Sequence, residues 1–312
     1  MTTPITILFP VYNDTESLQI VLQDISKLKD DRLKNLSFVI VNDGSSSFFV
    51  NKITDENKIT VIHLSRNLGH QKAIAIGLSW IKENYKGSTV IVMDADGEDK
   101  VLDLQLLLDA NEKLASTIFF AARKRRTNGM AFKLFYSLYK LSFYLLTGKK
   151  ISFGNFSIMP YYALCKVVYY SEIWNNYPGG IMKSGLTYEA LPTDRGNRYA
   201  GKSKMNFTTL LLHGFGAIAV FLEIIISRIA VISFLLIIAS VISLLTILII
   251  KTTTTMAIPG WASTLGSSMI IILLISFIIS LFSIFIYLST QTQRKFIPAM
   301  HYHDYILQTE II

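Results

Sequence analysis

Between Asp94 and Asp99 the chain carries four carboxylates in six residues, Asp94, Asp96, Glu98 and Asp99, directly after the apolar run Val90-Ile91-Val92-Met93. Side chains alternate along an extended segment, so Asp94 and Asp96 share a face, and Glu98 joins them if the extension continues. Two carboxylates about 4 Å apart repel by roughly 4 kcal/mol at an effective dielectric of about 20, which a buried strand end tolerates with a proton or a cation between them. Hard oxygen donors in this pattern favour Mg²⁺ or Mn²⁺ shared with phosphates. The plainer alternative is a solvated acidic turn capping a helix that begins near Val101.

A second group able to do chemistry is Arg195-Gly196-Asn197-Arg198-Tyr199-Ala200-Gly201-Lys202-Ser203-Lys204, with four positive charges and two glycines. Guanidinium and ammonium groups on flexible backbone suit a phosphate cradle. The alternative is an ordinary juxtamembrane basic patch.

The elements that position these groups follow from apolar patterning. Strands are predicted at Ile5 to Val11, Phe38 to Asn42, Thr60 to Leu64, Thr89 to Asp94 and Ile118 to Ala122. Helices are predicted from Asp14 or Thr15, as cap, to about Leu28, then after His70 with Ala73, Ile74, Gly77, Leu78 and Ile81 on one face, and from about Leu102 to Leu114. Strands and helices alternating in this way give a mostly parallel α/β sheet, whose ligands bind beyond the carboxyl ends of the strands. Tyr12-Asn13, Asp43-Gly44-Ser45, Arg66-Asn67 and Asp94-Ala95-Asp96 all fall at such ends, so the topology gathers them into one site.

The remainder is apolar. Of 312 residues, 51% are hydrophobic and 17% charged, too few charges for an ordinary soluble chain. Ile229 to Ile250 has no charge and neither has Thr252 to Gln293, leaving Lys251 alone between them. Each run is long enough to cross a hydrocarbon core about 30 Å thick. Residues 228–250 and 264–288 are therefore predicted to span a membrane, with Pro259-Gly260 between them. Arg228, Arg294 and Lys295 flank one side against Lys251 on the other, which puts both termini in the cytosol. Met1 to Val11 lacks the basic start of a signal peptide, so none is expected. The one cysteine, Cys165, excludes an internal disulfide and suits a reducing compartment. A net charge of +8 suits a domain set against anionic lipid and handling phosphorylated ligands. Arg123 to Arg126 is either a solvated face or, with the aromatic and lysine-bearing helix predicted at Ala131 to Leu146, part of a membrane interface. Met205 to Glu223 puts Phe207, Leu211, Phe215, Ile218 and Leu222 on one stripe, as an interfacial helix does. Two spans make nucleic-acid binding a poor reading of the basic residues.

These stretches together resemble the family 2 glycosyltransferases, specifically the polyprenyl-phosphate glycosyltransferases related to dolichol-phosphate mannose synthase and the bactoprenol glucosyltransferases. The resemblance rests on Phe9-Pro10-Val11-Tyr12-Asn13, Val41-Asn42-Asp43-Gly44-Ser45, Ser65-Arg66-Asn67-Leu68-Gly69-His70 and Met93-Asp94-Ala95-Asp96. It continues through Gly154-Asn155-Phe156-Ser157, Arg198 to Lys204 and Ile258-Pro259-Gly260-Trp261-Ala262-Ser263. It implies a Rossmann-like GT-A domain over residues 1–204, a juxtamembrane interfacial helix over 205–227, the two spans, and a cytosolic tail over 289–312. The implied reaction is inverting and metal-dependent, moving a sugar from a nucleotide sugar to undecaprenyl or dolichyl phosphate at the cytosolic face of the cell (inner) membrane. A uridine diphosphate donor is preferred over a guanosine one, and a homo-oligomer is implied. Pro10, Tyr12, Asn13, Asp43, Arg66 and Asp94 would bind the nucleotide, with Asp43 facing the base. Asp94, Asp96 and Glu98 would hold Mg²⁺ or Mn²⁺, and Arg198, Ser203 and Lys204 the acceptor phosphate. Asp96 and Asn155 would act in catalysis, Asn155 by positioning, since it stands where the family commonly has Asp and an amide takes no proton at neutral pH. The family favours Leu-Gln and prolines where this chain has Gly97-Glu98-Asp99-Lys100. Other readings are a glycosyltransferase with another lipid or glycan acceptor, and a non-catalytic nucleotide-sugar-binding membrane scaffold.

Overall fold

The computed structural model describes residues 3–33, 36–52, 57–123, 130–150, 153–200, 214–254 and 260–312, excluding the side chains of 123 and 130–136. They divide into two compact units, residues 1–141, 150–220 and 295–312 in one and residues 142–149 and 221–294 in the other.

The first unit is an α/β layered fold on a mixed, mostly parallel sheet. Its strands are β1 (Ile5–Val11), β2 (Leu36–Asn42), β3 (Lys58–Leu64), β4 (Thr89–Val92), β5 (Ile118–Arg123), β6 (Ser157–Met159), β7 (Tyr188–Thr193) and β8 (Ile306–Ile311). They lie in the order β7-β5-β6-β4-β1-β2-β3-β8. The pairs β1–β2, β1–β4, β2–β3 and β5–β7 are parallel, while β6 runs antiparallel to β4 and β5, and β8 antiparallel to β3. β1 is buried along its whole length, as expected of a central strand covered on both faces. Alternate residues serve opposite layers. Ile7 and Phe9 pack with Leu18 and Leu22 of α1 (Thr15–Ser26) and Leu104 and Leu107 of α3 (Asp103–Lys113). Leu8 packs with Ile74 and Leu78 of α2 (His70–Asn84) and Leu164 of α5 (Tyr161–Val167). Further helices of this unit include the greater part of α4 (Met130–Thr147) and the one-to-two-turn α6 (Tyr177–Lys183).

The second unit is built on α7 (Leu222–Thr253) and α8 (Trp261–Thr292), of 32 residues each. At 1.5 Å per residue each is about 48 Å long. Both are long and apolar enough to cross a membrane. Their outer faces carry exposed side chains such as Phe285 and Ile278, 67% and 63% accessible. Ser233 and Ser240 on α7, and Ser276 and Ser283 on α8, are the buried polar residues, seven apart on each helix. Small residues on one stripe let two such helices approach closely. The last turn of α4 belongs to this unit, where Arg228 Nη1 donates to the Leu145 carbonyl at 2.8 Å.

Three sequence expectations change. Both long helices exceed the predicted 228–250 and 264–288. Residues 222–227, expected in an interfacial helix, are the first turns of α7, because Glu223 is the one charge among them and interrupts no helical pattern. Of that expected helix, residues 205–213 lie outside the described residues, and 214–219 are helical. Third, the segment read as a tail returns to the first unit as α9 (Pro298–His301) and β8.

Candidate active site

The chain runs from β1 to β2 to β3 on one side of the sheet, then returns to place β4 on the other side of β1. Such a reversal opens a crevice at the carboxyl ends of the two strands concerned. Here the last bond between them is Met93 N–H to Leu8 O, 3.0 Å, after which β4 ends and β1 runs on beside β2 alone. Pro10 lies in that unpaired stretch. Its missing N–H would face β4, as the Leu8 groups do, so it costs the sheet no bond.

On the β1 side of the crevice Tyr12 is exposed and Asn13 takes a left-handed conformation, φ 49°. Asn13 is held there by the loop after β2: its N–H donates to Ser45 Oγ at 2.8 Å, and its Oδ1 accepts from Ser46 N and Oγ at 2.9 and 3.1 Å. Asp43 is buried, and its two carboxylate oxygens accept the backbone N–H groups of Leu68 (2.7 Å) and Gly69 (2.9 Å). It therefore ties the loop after β3 to the loop after β2. Burial pushes its carboxyl above the ordinary range in spite of those two donors and the nearby positive charges of His70 and Lys72. Gly44 is required at this junction, because a Cβ there would stand 2.5 Å from Asn67 N. Arg66 is exposed beside it.

On the β4 side, Asp94 and Asp96 lie in the loop after the strand. The extension does not continue to Glu98: Gly97 turns the chain at φ 84°, so Glu98 is not aligned with the two aspartates by strand alternation. Asp99 Oδ2 accepts the Asp94 N–H at 3.1 Å and Asp96 Oδ1 the Glu98 N–H at 3.0 Å, closing the loop on itself. Each of the three acids then meets a base. Asp94 Oδ1 is 3.1 Å from His70 Nε2, Asp96 Oδ2 accepts from Arg198 Nη1 at 3.3 Å, and Glu98 Oε1 pairs with Arg195.

Residues 195–200 lie over this loop. Gly196 N–H donates to Glu98 O, and Tyr199 N–H to Asp96 O. The Tyr199 ring fills the space that a Cβ on Gly97 would need, 2.4 Å away, and its hydroxyl donates to Asp24 Oδ2 at 2.9 Å. Arg198 Nη2 also donates to Asp14 Oδ2 at 2.6 Å. Asp14 stands at the N-cap of α1 but makes no side-chain cap, because Arg198 has its carboxylate. Ser203 and Lys204 lie outside the described residues.

Asn155 reaches the same place from the loop before β6. Gln71 Nε2 donates to Asn155 Oδ1 at 3.0 Å, while Asn155 Nδ2 is 2.9 Å from His70 Nε2. Gln71 is itself held by Tyr177 N–H at 2.6 Å. His70, at the start of α2, thus touches both Asp94 and Asn155. Crowding by protein opposes charge on its ring, but the carboxylates of Asp94, Asp96 and Asp43 outweigh that and raise its pKa above the ordinary imidazole value. Sequence reasoning included His70 in a motif and gave it no role; a histidine at a strand-to-helix turn opposite a paired-aspartate strand end was the available signal.

Asp94 and Asp96 fit a hard divalent cation. Both are oxygen donors, and the Asp96 carboxyl is raised first by burial and next by the negative charge of Asp94, a condition that a cation relieves. Among the described residues no three His, Cys, Asp or Glu side chains stand together as a complete cage. Magnesium is commonly held by one or two carboxylates and completed by substrate phosphates. Glu98, expected as a third ligand, is instead engaged by Arg195.

The sequence model of glycosyl transferase family 2 matches residues 6–174. The uncharacterized glycosyltransferase YkcC of Bacillus subtilis is 26% identical over 227 residues, 69% of this chain and 67% of that one. The undecaprenyl-phosphate 4-deoxy-4-formamido-L-arabinose transferase of Aeromonas hydrophila is 29% identical over 111 residues, 34% of this chain and 33% of that one. Among solved structures, glucosyl-3-phosphoglycerate synthase from Mycobacterium tuberculosis superposes with a TM-score of 0.46 at 13% identity, over 72% of this chain and 80% of that one.

Proposed function

The chain belongs to glycosyl transferase family 2 and is a glycosyltransferase, and on that premise we propose that it moves a sugar, with inversion, from a nucleotide sugar to polyprenyl phosphate at the cytosolic face of the cell membrane. The donor lies in the β1/β4 crevice, its nucleoside against Pro10, Tyr12, Asn13 and Arg66, in a loop that Asp43 holds in place. A uridine diphosphate sugar is the preferred donor. Asp94 and Asp96 are the residues that would hold Mg²⁺ or Mn²⁺, and such a cation would supply positive charge to stabilise the departing nucleoside diphosphate. Arg198, with Ser203 and Lys204, receives the acceptor phosphate.

One observation carries this reading: Arg198 bridges Asp14 and Asp96, at 2.6 and 3.3 Å. A cation able to hold an anionic acceptor thereby adjoins the carboxylate assigned to the donor diphosphate, which supports a site for two phosphate-bearing substrates. An oxygen of the acceptor phosphate attacks the anomeric carbon as the bond from that carbon to the diphosphate oxygen breaks, and the nucleoside diphosphate leaves with the electron pair. The second pKa of a phosphate monoester is about 6, so at neutral pH the nucleophile is already ionised. No strong base is needed, and Asn155 serves by fixing His70, which contacts Asp94.

The test is transfer of label from UDP- and GDP-sugars to undecaprenyl phosphate in detergent with Mg²⁺ or Mn²⁺, read as lipid-extractable sugar. Product from the wild type and none above background from Asp96→Ala are expected. Donor turnover that leaves no labelled prenyl lipid refutes the acceptor, and no turnover with any donor refutes the enzymatic reading.

A further inference from the structure

His63, at the end of β3, belongs to none of the groups assigned above, yet three contacts converge on it. It stands in register with Asn42 at the end of β2, the residue before the Asp43 loop. Asn42 Oδ1 accepts the Ser45 N–H at 3.0 Å, which fixes which way the amide points: Nδ2 faces His63 Nδ1, 2.9 Å away. A donor there makes Nδ1 the acceptor, so the ring proton sits on Nε2. That nitrogen lies 3.6 Å from Glu310 Oε2 of β8. From the loop itself Phe48 meets the imidazole edge-on, ring centroids 5.5 Å apart at 87°.

The imidazole therefore pins the loop after β2 at two points, Asn42 with Ser45 and Phe48, while β8 backs it from the sheet edge. The pinned loop is the one whose Ser45 and Ser46 hold Asn13 in its left-handed conformation. Asparagine tolerates such a backbone better than other non-glycine residues, and here the bonds to Ser45 and Ser46 hold it there. We propose that His63 is a positioning residue of the donor pocket, backed by the strand that follows the apolar helices, so that the last residues of the chain help to shape the nucleotide site. The proposal rests on the donor reading of Tyr12, Asn13 and Asp43.

Three variants test it in the full-length protein. His63→Leu removes the acceptor for Asn42. His63→Gln keeps a polar group at the Nε2 position only, and is the second loss variant should leucine not fold. His63→Asn places an amide oxygen where Nδ1 stood. Losing one hydrogen bond and the loop order that it sustains is expected to weaken binding of UDP or GDP with Mg²⁺, by calorimetry, by roughly 5- to 10-fold in the first two. In turnover the loss appears in KM for the donor, with kcat retained, and His63→Asn restores it. Amide exchange at Ser45 and Ser46 in the nucleotide-free protein quickens in His63→Leu and His63→Gln and returns in His63→Asn. Unchanged exchange in both loss variants overturns the role of His63. A wild type that binds neither nucleotide overturns the donor pocket itself, while the exchange rates still decide whether His63 positions the loop.

Discussion

At Glu98 the chemistry of the residue and its surroundings part company. Its position two residues after Asp96 makes a third metal ligand legible in the sequence, but β4 ends at Val92, Gly97 turns the chain, and the carboxylate pairs with Arg195 from 97 residues away. The same holds for Asp96 and Arg198, 102 residues apart, and for Asn155 and His70, 85 apart. Residue type and local spacing identified the acids; their basic partners come from other elements and leave no local trace. An amide at Asn155 also suits this neighbourhood, since its oxygen takes the Gln71 N–H while an aspartate would bring another carboxylate beside Asp94. The consequence for Glu98 is specific. Glu98→Gln is expected to leave the Mg²⁺ or Mn²⁺ concentration for half-maximal rate within about twofold of wild type, since it breaks an ion pair rather than a metal bond. A metal requirement raised tenfold or more, measured by titrating the cation at saturating donor, would restore Glu98 as a ligand.

Among elements, β1 to β5 and their helices were legible because each is a buried apolar run or a clear helical stripe bounded by turn residues. β6 has only three residues, β7 is largely exposed, and β8 carries the polar run Gln308-Thr309-Glu310 at a sheet edge. Their existence depends on pairing with distant strands, which patterning does not report. The segment before α6 shows how such irregular parts are held. Glu172 lies beside Lys183 Nζ at 2.9 Å, its side chain 14% exposed. Burial opposes its charge, but Lys183, its own backbone N–H and the Ser171 hydroxyl outweigh burial and lower its pKa. A carboxyl lowered in the folded state stabilises fully above its unfolded pKa and loses that contribution as the pH falls through the folded value. Glu172→Gln is therefore expected to lower stability by about 1 kcal/mol at pH 7. The gap from wild type should narrow as the pH drops below the ordinary glutamate value of 4.5. A gap independent of pH from 7 to 3, by thermal unfolding, would mean that the ion pair contributes nothing.

For the whole molecule, the first unit is assembled from chain on both sides of the α7–α8 pair: β3 comes before it and pairs with β8 after it. If both helices cross the bilayer, an even number of crossings returns the chain to the side it left, which this pairing requires, because β8 cannot reach β3 through lipid. A single crossing, or one helix lying on the surface, is incompatible with that strand pair. Which side this is follows from charge: Arg228, Arg294 and Lys295 flank the ends joined to the first unit, and Lys251 the connection between the helices. By the positive-inside bias, the topology proposed above has the first unit in the cytosol and the connection outside. Cys165 is the only cysteine, so a Cys165→Ser background leaves single engineered thiols readable. In intact cells a membrane-impermeant maleimide should label Thr254→Cys, just after α7, and should reach Gln293→Cys, just after α8, only after the membrane is broken. The reverse pattern would invert the topology, and labelling of both in intact cells would remove α7 and α8 as a pair of spans.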